Sequence, residues 1–117
     1  MCRIVGIKKR KGSIKEGLLA QMRDTMAHGG PDAANSYISP EGLLGLGHRR
    51  LSILDLSEAG NQPMYYKHWV VVFNGEIYNF MDIRTELEQL GMKFSTGSDT
   101  EMPVSYTHLT LPTICSV

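Results

Sequence analysis

Four scattered positions carry the residue types that acyl chemistry requires. Cys2 follows Met1 directly. Removal of the methionine, which a small second residue permits, would place a thiol and a free α-amine on one residue. An α-amine ionises near neutrality, at roughly pH 8, so it can serve as the base for its own thiol. A cysteine that merely opens a buried strand is the plainer reading of Cys2 by itself, since free cysteine packs as a small hydrophobe. Asn74-Gly75 offers a side-chain amide and a backbone N–H that no side chain obstructs, donors suited to an oxyanion. The same dipeptide is also a strong hairpin-turn signal. Arg50 has the planar fork that grips a carboxylate through two hydrogen bonds, and Arg49-Arg50 could equally be a surface pair at a strand end. Asp99 can pair with an ammonium group or cap a helix starting at Thr100. His48, single in a strand, reads as a packed residue with one satisfied hydrogen bond and is given no chemistry. No spacing of His, Cys, Asp and Glu suggests a metal site, and Gly29-Gly30 is too short to cradle phosphate.

The elements that must position these residues are legible from periodicity and punctuation. Ile4-Val5-Gly6-Ile7 reads as a buried strand before the charged turn Lys8-Lys9-Arg10-Lys11. Ser13-Ile14-Lys15-Glu16 has the form of a capping box. It predicts a helix with Leu18, Leu19, Met22 and Met26 on its apolar face, stopped by Gly29-Gly30-Pro31. Asn35 to Ile38 and Leu43 to Arg49 flank Pro40-Glu41-Gly42 as a hairpin. Trp69 to Phe73 is apolar throughout, as in a strand buried on both faces. Asn79 is placed to cap a second helix, with Ile83, Leu87 and Leu90 as its apolar face and Gly91 at C′. Met92 to Ser95 could add one more strand. The alternation of strands and helices argues for an α+β domain.

Composition narrows the field. The chain has 117 residues, a formal net charge of zero and 42% hydrophobic residues, which suits one small globular domain. Nothing in that balance calls for nucleic acid or a membrane surface as partner. No apolar run approaches the ~20 residues that span a bilayer, and no secretory segment follows Met1, so a cytoplasmic location is the expectation. Cys2 and Cys115 are too few and too far apart for a disulfide framework. From Pro103 the text changes character. Val104-Ser105-Tyr106-Thr107-His108-Leu109-Thr110-Leu111-Pro112-Thr113 resembles the in-frame translation of a sequencing adapter. Residues 1–102 are therefore expected to be domain and 103–117 a non-native tail, in which His108 and Cys115 carry no function; an edge strand over residues 106–111 is the alternative.

Four segments join Cys2 in order: Gly47-His48-Arg49-Arg50-Leu51-Ser52-Ile53, Asn61-Gln62-Pro63-Met64, Phe73-Asn74-Gly75-Glu76-Ile77-Tyr78-Asn79 and Gly97-Ser98-Asp99-Thr100-Glu101. Together they resemble the glutaminase domain of class II, or N-terminal nucleophile, glutamine amidotransferases. Within these, the chain is most similar to the glutamine-hydrolysing asparagine synthetases. The resemblance implies an N-terminal nucleophile hydrolase fold, an αββα sandwich, of which this chain would hold about the first half. It implies Cys2, Asn74 and Gly75 as catalytic residues. It implies Arg50, Leu51, Ile53, Asn74, Gly75, Glu76 and Asp99 as the binding site for L-glutamine, with Arg50 on the carboxylate and Asp99 on the ammonium. It also implies a C-terminal synthetase domain that would use ATP and Mg to amidate aspartate, and leaves a homodimer open for the full-length protein. No cofactor is expected in this segment.

Glucosamine-6-phosphate synthase and amidophosphoribosyltransferase types are the nearest rivals. The run from Arg49 to Ser57, with Asn61-Gln62-Pro63-Met64, is closer to the asparagine synthetase type. Two positions depart from the family: Arg3 stands where it has glycine, and Gly29 where it has arginine. Each is one base away from the family codon, so a recording error and a true change are both open. True changes would favour a glutamine-binding remnant without catalysis. A half-domain also leaves strand edges exposed, so the 117-residue chain expressed alone is expected to be unstable and inactive.

Overall fold

The structure, a computed structural model, describes residues 1–53, 56–97 and 99–101. Its elements run β1 (Arg3–Lys8), α1 (Glu16–Asp24), β2 (Ala33–Ile38), β3 (Leu44–Arg50), β4 (Met64–Tyr66), β5 (Trp69–Val71) and α2 (Phe80–Gln89), with short 3-10 turns at Ala27–Gly29 and Glu58–Gly60. Strands and helices thus form a small α+β unit. One sheet is fully antiparallel with order β1-β3-β2, and the other is the β4-β5 hairpin. The anticipated tail lies outside the described residues.

β3 is the axis of the site. It pairs over six residues with each neighbour, Arg3 opposite Arg49 on one side and Ala33 opposite Arg50 on the other. Side chains alternate along a strand, so its odd and even residues face different layers. On the odd side, Gly45 and Gly47 leave a shallow track for α1. A Cβ at Gly45 would lie 3.1 Å from Leu19 Cδ2, and one at Gly47 would lie 3.3 Å from Arg23 Cβ. Leu19 has no exposed surface. The turn into β3 is closed by Gly42 at φ 73, with its N–H donating to the Ser39 carbonyl.

Several sequence expectations need correction. The Ser13 capping box does not form: α1 starts at Glu16, with Lys15 in the N-cap position and no side-chain cap. The reason is tertiary. The Ile14 N–H donates to the Gly42 carbonyl at 2.8 Å, and the Ile14 side chain is buried against Gly45. Residues 13 and 14 are therefore held to the β2–β3 turn. The inward line of α1 is Leu19 and the stem of Arg23, four residues apart, while Leu18 and Met22 are 46% and 38% exposed. Two adjacent glycine sites accept one row of side chains, not a broad apolar face.

The strand expected from Trp69 to Phe73 is shorter and only half-buried, because β5 pairs with β4 in a two-stranded sheet. The Tyr37 ring of β2 meets the Tyr65 ring of β4 edge-on, with centroids 5.9 Å apart, which ties the two sheets together. α2 begins after Asn79 as expected, but the Asn79 side chain makes no cap bond. Leu87 is buried, Leu90 is exposed, and Gly91 follows the helix with φ 90. Residues 92–95 form no strand. Instead the N–H groups of Ser95 and Thr96 donate to the Glu101 carboxylate, each at 2.9 Å. Arg84 of α2 stacks on Phe94 and donates to the Thr96 carbonyl.

Candidate active site

At the end of β3 a cavity of about 470 Å³ opens. Cys2 reaches it because it continues β1 beyond Arg3, on the same face as Ile4 and His48. Its Sγ accepts the Leu51 N–H at 3.4 Å and lies 3.6 Å from the Leu51 carbonyl. That contact fixes the thiol against the first residue after β3. Cys2 is half-buried and forms no disulfide.

Arg50 ends β3 on the same face and is 6% exposed. Its Nη1 donates to the Ser57 carbonyl at 2.6 Å and to Asn61 Oδ1 at 2.8 Å. Gly60 has no side chain where a Cβ would collide with that guanidinium. Arg49 goes the other way: its Nε donates to the Gly30 carbonyl and its Nη1 to Asp24. Arg49 is thus held in a partly exposed ion pair, and of the two arginines only Arg50 lines the cavity. The half-exposed Arg23-Asp24-Arg49 cluster holds the Asp24 carboxyl below its ordinary value, through Arg23 first and Arg49 second.

Asn74, Gly75 and Glu76 lie in the loop between β5 and α2 and form the exposed rim of the cavity. They make no hairpin, so the alternative reading of Asn74-Gly75 is set aside. A Cβ at Gly75 would sit 2.9 Å from the Phe73 ring, so a side chain here would push that ring aside. Asp99, 6% exposed, accepts the Ile77 N–H at 2.9 Å and thereby holds the rim loop. Leu51 and Ile53 complete the expected set around the cavity, Ile53 being well exposed. All eight residues that sequence reasoning assigned to the site border this one cavity.

Sequence reasoning missed Gln62 and Thr100. Gln62 is buried, and its side-chain oxygen accepts the Phe73 N–H while its nitrogen donates to Thr100 Oγ1 at 3.1 Å. Asn61-Gln62-Pro63 was visible as a motif, but only the folded chain reveals what its amides hold. His48 is 1% exposed, and neither ring nitrogen has a hydrogen-bond partner among the described residues, so the expected single bond is absent. Burial pushes its pKa down to about 4, the Arg50 charge adding to the effect; the nearby Phe73 backbone opposes it without forming a well-aligned bond.

Arg3 alternates with Cys2 and lies on the opposite face of β1. Its side chain covers Gly29, where a Cβ would be 2.7 Å from Arg3 Nε. Its Nη1 donates to the carbonyls of Met1 and Cys2, both at 3.1 Å. The two positions expected to depart from the family thus occupy one space, and neither lines the cavity. Among the described residues no three His, Cys, Asp or Glu side chains gather as metal ligands, and no helix is long and apolar enough to cross a membrane.

Comparison with known proteins places the sequence in a family. A glutamine amidotransferase domain model matches residues 1–110. The chain is 42% identical over 109 residues to asparagine synthetase [glutamine-hydrolyzing] 1 of Bacillus subtilis, covering 87% of this chain and 17% of that protein. It is 40% identical over 107 residues to asparagine synthetase B [glutamine-hydrolyzing] of Escherichia coli, covering 87% of this chain and 18% of the relative. It is also 41% identical over 88 residues to the amidase chry2 of Gibberella zeae, covering 73% of this chain and 13% of that protein. The chain therefore spans less than a fifth of each of these relatives. The chain belongs to the glutamine amidotransferase domain family.

Proposed function

We propose that this chain is the glutaminase part of an asparagine synthetase, acting through a Cys2 thioester. The observation that carries the reading is the single cavity bordered by Cys2, Arg50, Asn74, Gly75 and Asp99. Each substrate group then meets a matching partner. The fork of Arg50 takes the α-carboxylate and Asp99 takes the α-ammonium. After removal of Met1, the Cys2 α-amine accepts the Sγ proton. The thiolate attacks the amide carbon of glutamine, and the developing oxyanion takes hydrogen bonds from the Asn74 side chain and the Gly75 N–H. The amine returns its proton to the leaving nitrogen and ammonia departs. Water then attacks the thioester, releasing glutamate and restoring the thiol.

The ammonia would pass to a C-terminal synthetase domain that amidates aspartate with ATP and Mg. The two sheets with α1 outside one of them are compatible with part of an αββα sandwich. The rival reading, a glutamine-binding remnant, draws on Arg3 and Gly29, and it weakens because Arg3 lies on the face of β1 away from the cavity.

The test uses the full-length gene product that carries this sequence. The mature N-terminus should be Cys2, and a diazoketone analogue of glutamine should add covalently to it, read by mass spectrometry of the N-terminal peptide. Cys2→Ala should lower glutamate formation more than about a thousand-fold, and Asn74→Ala should lower kcat by about 10²–10³. A retained Met1, or glutamine hydrolysis that survives Cys2→Ala, would sink the reading.

A further inference from the structure

The three groups that would grip glutamine sit on separate segments. Arg50 ends β3, Asn74 and Gly75 lie beyond β5, and Asp99 lies beyond α2. Among the described residues no strand ladder joins these segments at the cavity. Two consecutive side-chain amides do. Asn61 Oδ1 accepts Arg50 Nη1 at 2.8 Å. Gln62, 5% exposed, accepts the Phe73 N–H one residue before Asn74 and donates to Thr100 Oγ1 one residue after Asp99. The Asp99 carboxylate closes the ring by accepting the Ile77 N–H at 2.9 Å.

The residue types suit the task. A carboxamide carries a donor and an acceptor on one planar head, so Gln62 can satisfy an N–H and a hydroxyl at once; methionine of similar length can do neither. Neighbouring residues in extended chain point to opposite sides, so Asn61 and Gln62 reach different segments from one point on the backbone. The buried Gln62 amide also fixes geometry, because the alternative to its bonds is an unpaired polar group away from water.

We infer that Asn61 and Gln62 are positioning residues, holding the carboxylate grip, the oxyanion donors and the ammonium partner in one register. The inference rests on the glutaminase reading. Asn61 acts on ground-state binding through Arg50, and Gln62 acts on the reacting centre through Phe73 and Asn74.

The test measures steady-state glutaminase kinetics in the full-length gene product. Asn61→Leu should raise KM for glutamine about tenfold, the size of one hydrogen bond to a charged group, with kcat changed far less. Asn61→Asp keeps the acceptor for Arg50 and should restore KM. Gln62→Met should lower kcat by about tenfold to a hundredfold, as slight misplacement of reacting groups does. Should Gln62→Met fail to fold, Thr100→Val removes one arm of the bridge and should raise KM. Covalent labelling of wild-type Cys2 separates the two questions. If wild type does not label, the glutaminase reading fails. If wild type labels, but Asn61→Leu and Asn61→Asp behave alike, or the kinetic losses merely track lowered melting temperature, the positioning role is overturned.

Discussion

On the helix side of β3 stand Gly45, Gly47 and Arg49; on the cavity side stand Leu46, His48 and Arg50. The helix side is made by omission. Two missing side chains let Leu19 and the Arg23 stem lie close, and Arg49 is tied off on Asp24 and the Gly30 carbonyl. On the cavity side Arg50 is held from other segments, by Ser57 and Asn61. Adjacent arginines with the same chemistry therefore serve different ends, and the period of two in the strand decides which is which. One face packs a helix and the other borders the candidate site.

The largest effect should come from breaking the helix side. Leu19→Ala removes a fully enclosed side chain and should cost about 2–5 kcal/mol of stability. KM for glutamine should stay near its wild-type value below the melting transition. An affinity loss in the folded variant would show that the two faces of β3 are not independent.

The cavity side should answer to acid. His48 has a folded-state pKa of about 4 against an ordinary 6.5. Between those values the unfolded chain binds a proton that the folded chain does not, so stability rises with pH across that window. The contribution is fully present above about pH 6.5 and is lost as pH falls toward 4. Its upper size is roughly 3 kcal/mol. Carboxylates titrate in the same range, so the informative quantity is the difference between wild type and His48→Leu. That difference should vary with pH from 4 to 6.5 and be flat above. A constant difference would mean that His48 is not held neutral by its burial.

How far the sequence discloses this arrangement follows from the range of the forces involved. The positions of β1, β2, β3 and α2 are legible because local period and turn residues specify them: Gly42 and Gly91 take positive φ where a turn and a helix end need it. The burial expected of β1 is not found, since its residues alternate between half-buried and exposed, with Ile4 43% exposed. The Ser13 cap and the strand at residues 92–95 are misread because distant partners win. Gly42 captures the Ile14 N–H, and Glu101 captures the N–H groups of Ser95 and Thr96. The candidate site residues are singled out by their chemistry, the thiol of Cys2, the fork of Arg50, the Asn74-Gly75 donors and the carboxylate of Asp99, and they border one cavity. Gln62 is not, because an amide in a sequence gives no sign of the two segments it bridges.

The smallest effect concerns Arg3 and Gly29, and it bears on whether the helix side tolerates exchange of a large side chain between two backbones. Arg3 fills the space above Gly29 and bonds the Cys2 carbonyl; the bond to the Met1 carbonyl would vanish with that residue. Gly29→Arg in the presence of Arg3 would crowd two long cations into one volume, close to Arg49, which is opposite Arg3 in the β1–β3 register. Arg3→Gly alone leaves the space empty and the Cys2 carbonyl without that donor. Arg3→Gly with Gly29→Arg moves the side chain from one backbone to the other and removes the collision. The cost of Gly29→Arg should therefore be smaller in the Arg3→Gly background, with a coupling of about 1 kcal/mol in a double-mutant cycle. Thermal melts of the four variants measure it. Additive effects would mean that the two residues are neighbours without being coupled, and that the helix side near the N-terminus is loose enough to absorb both changes separately.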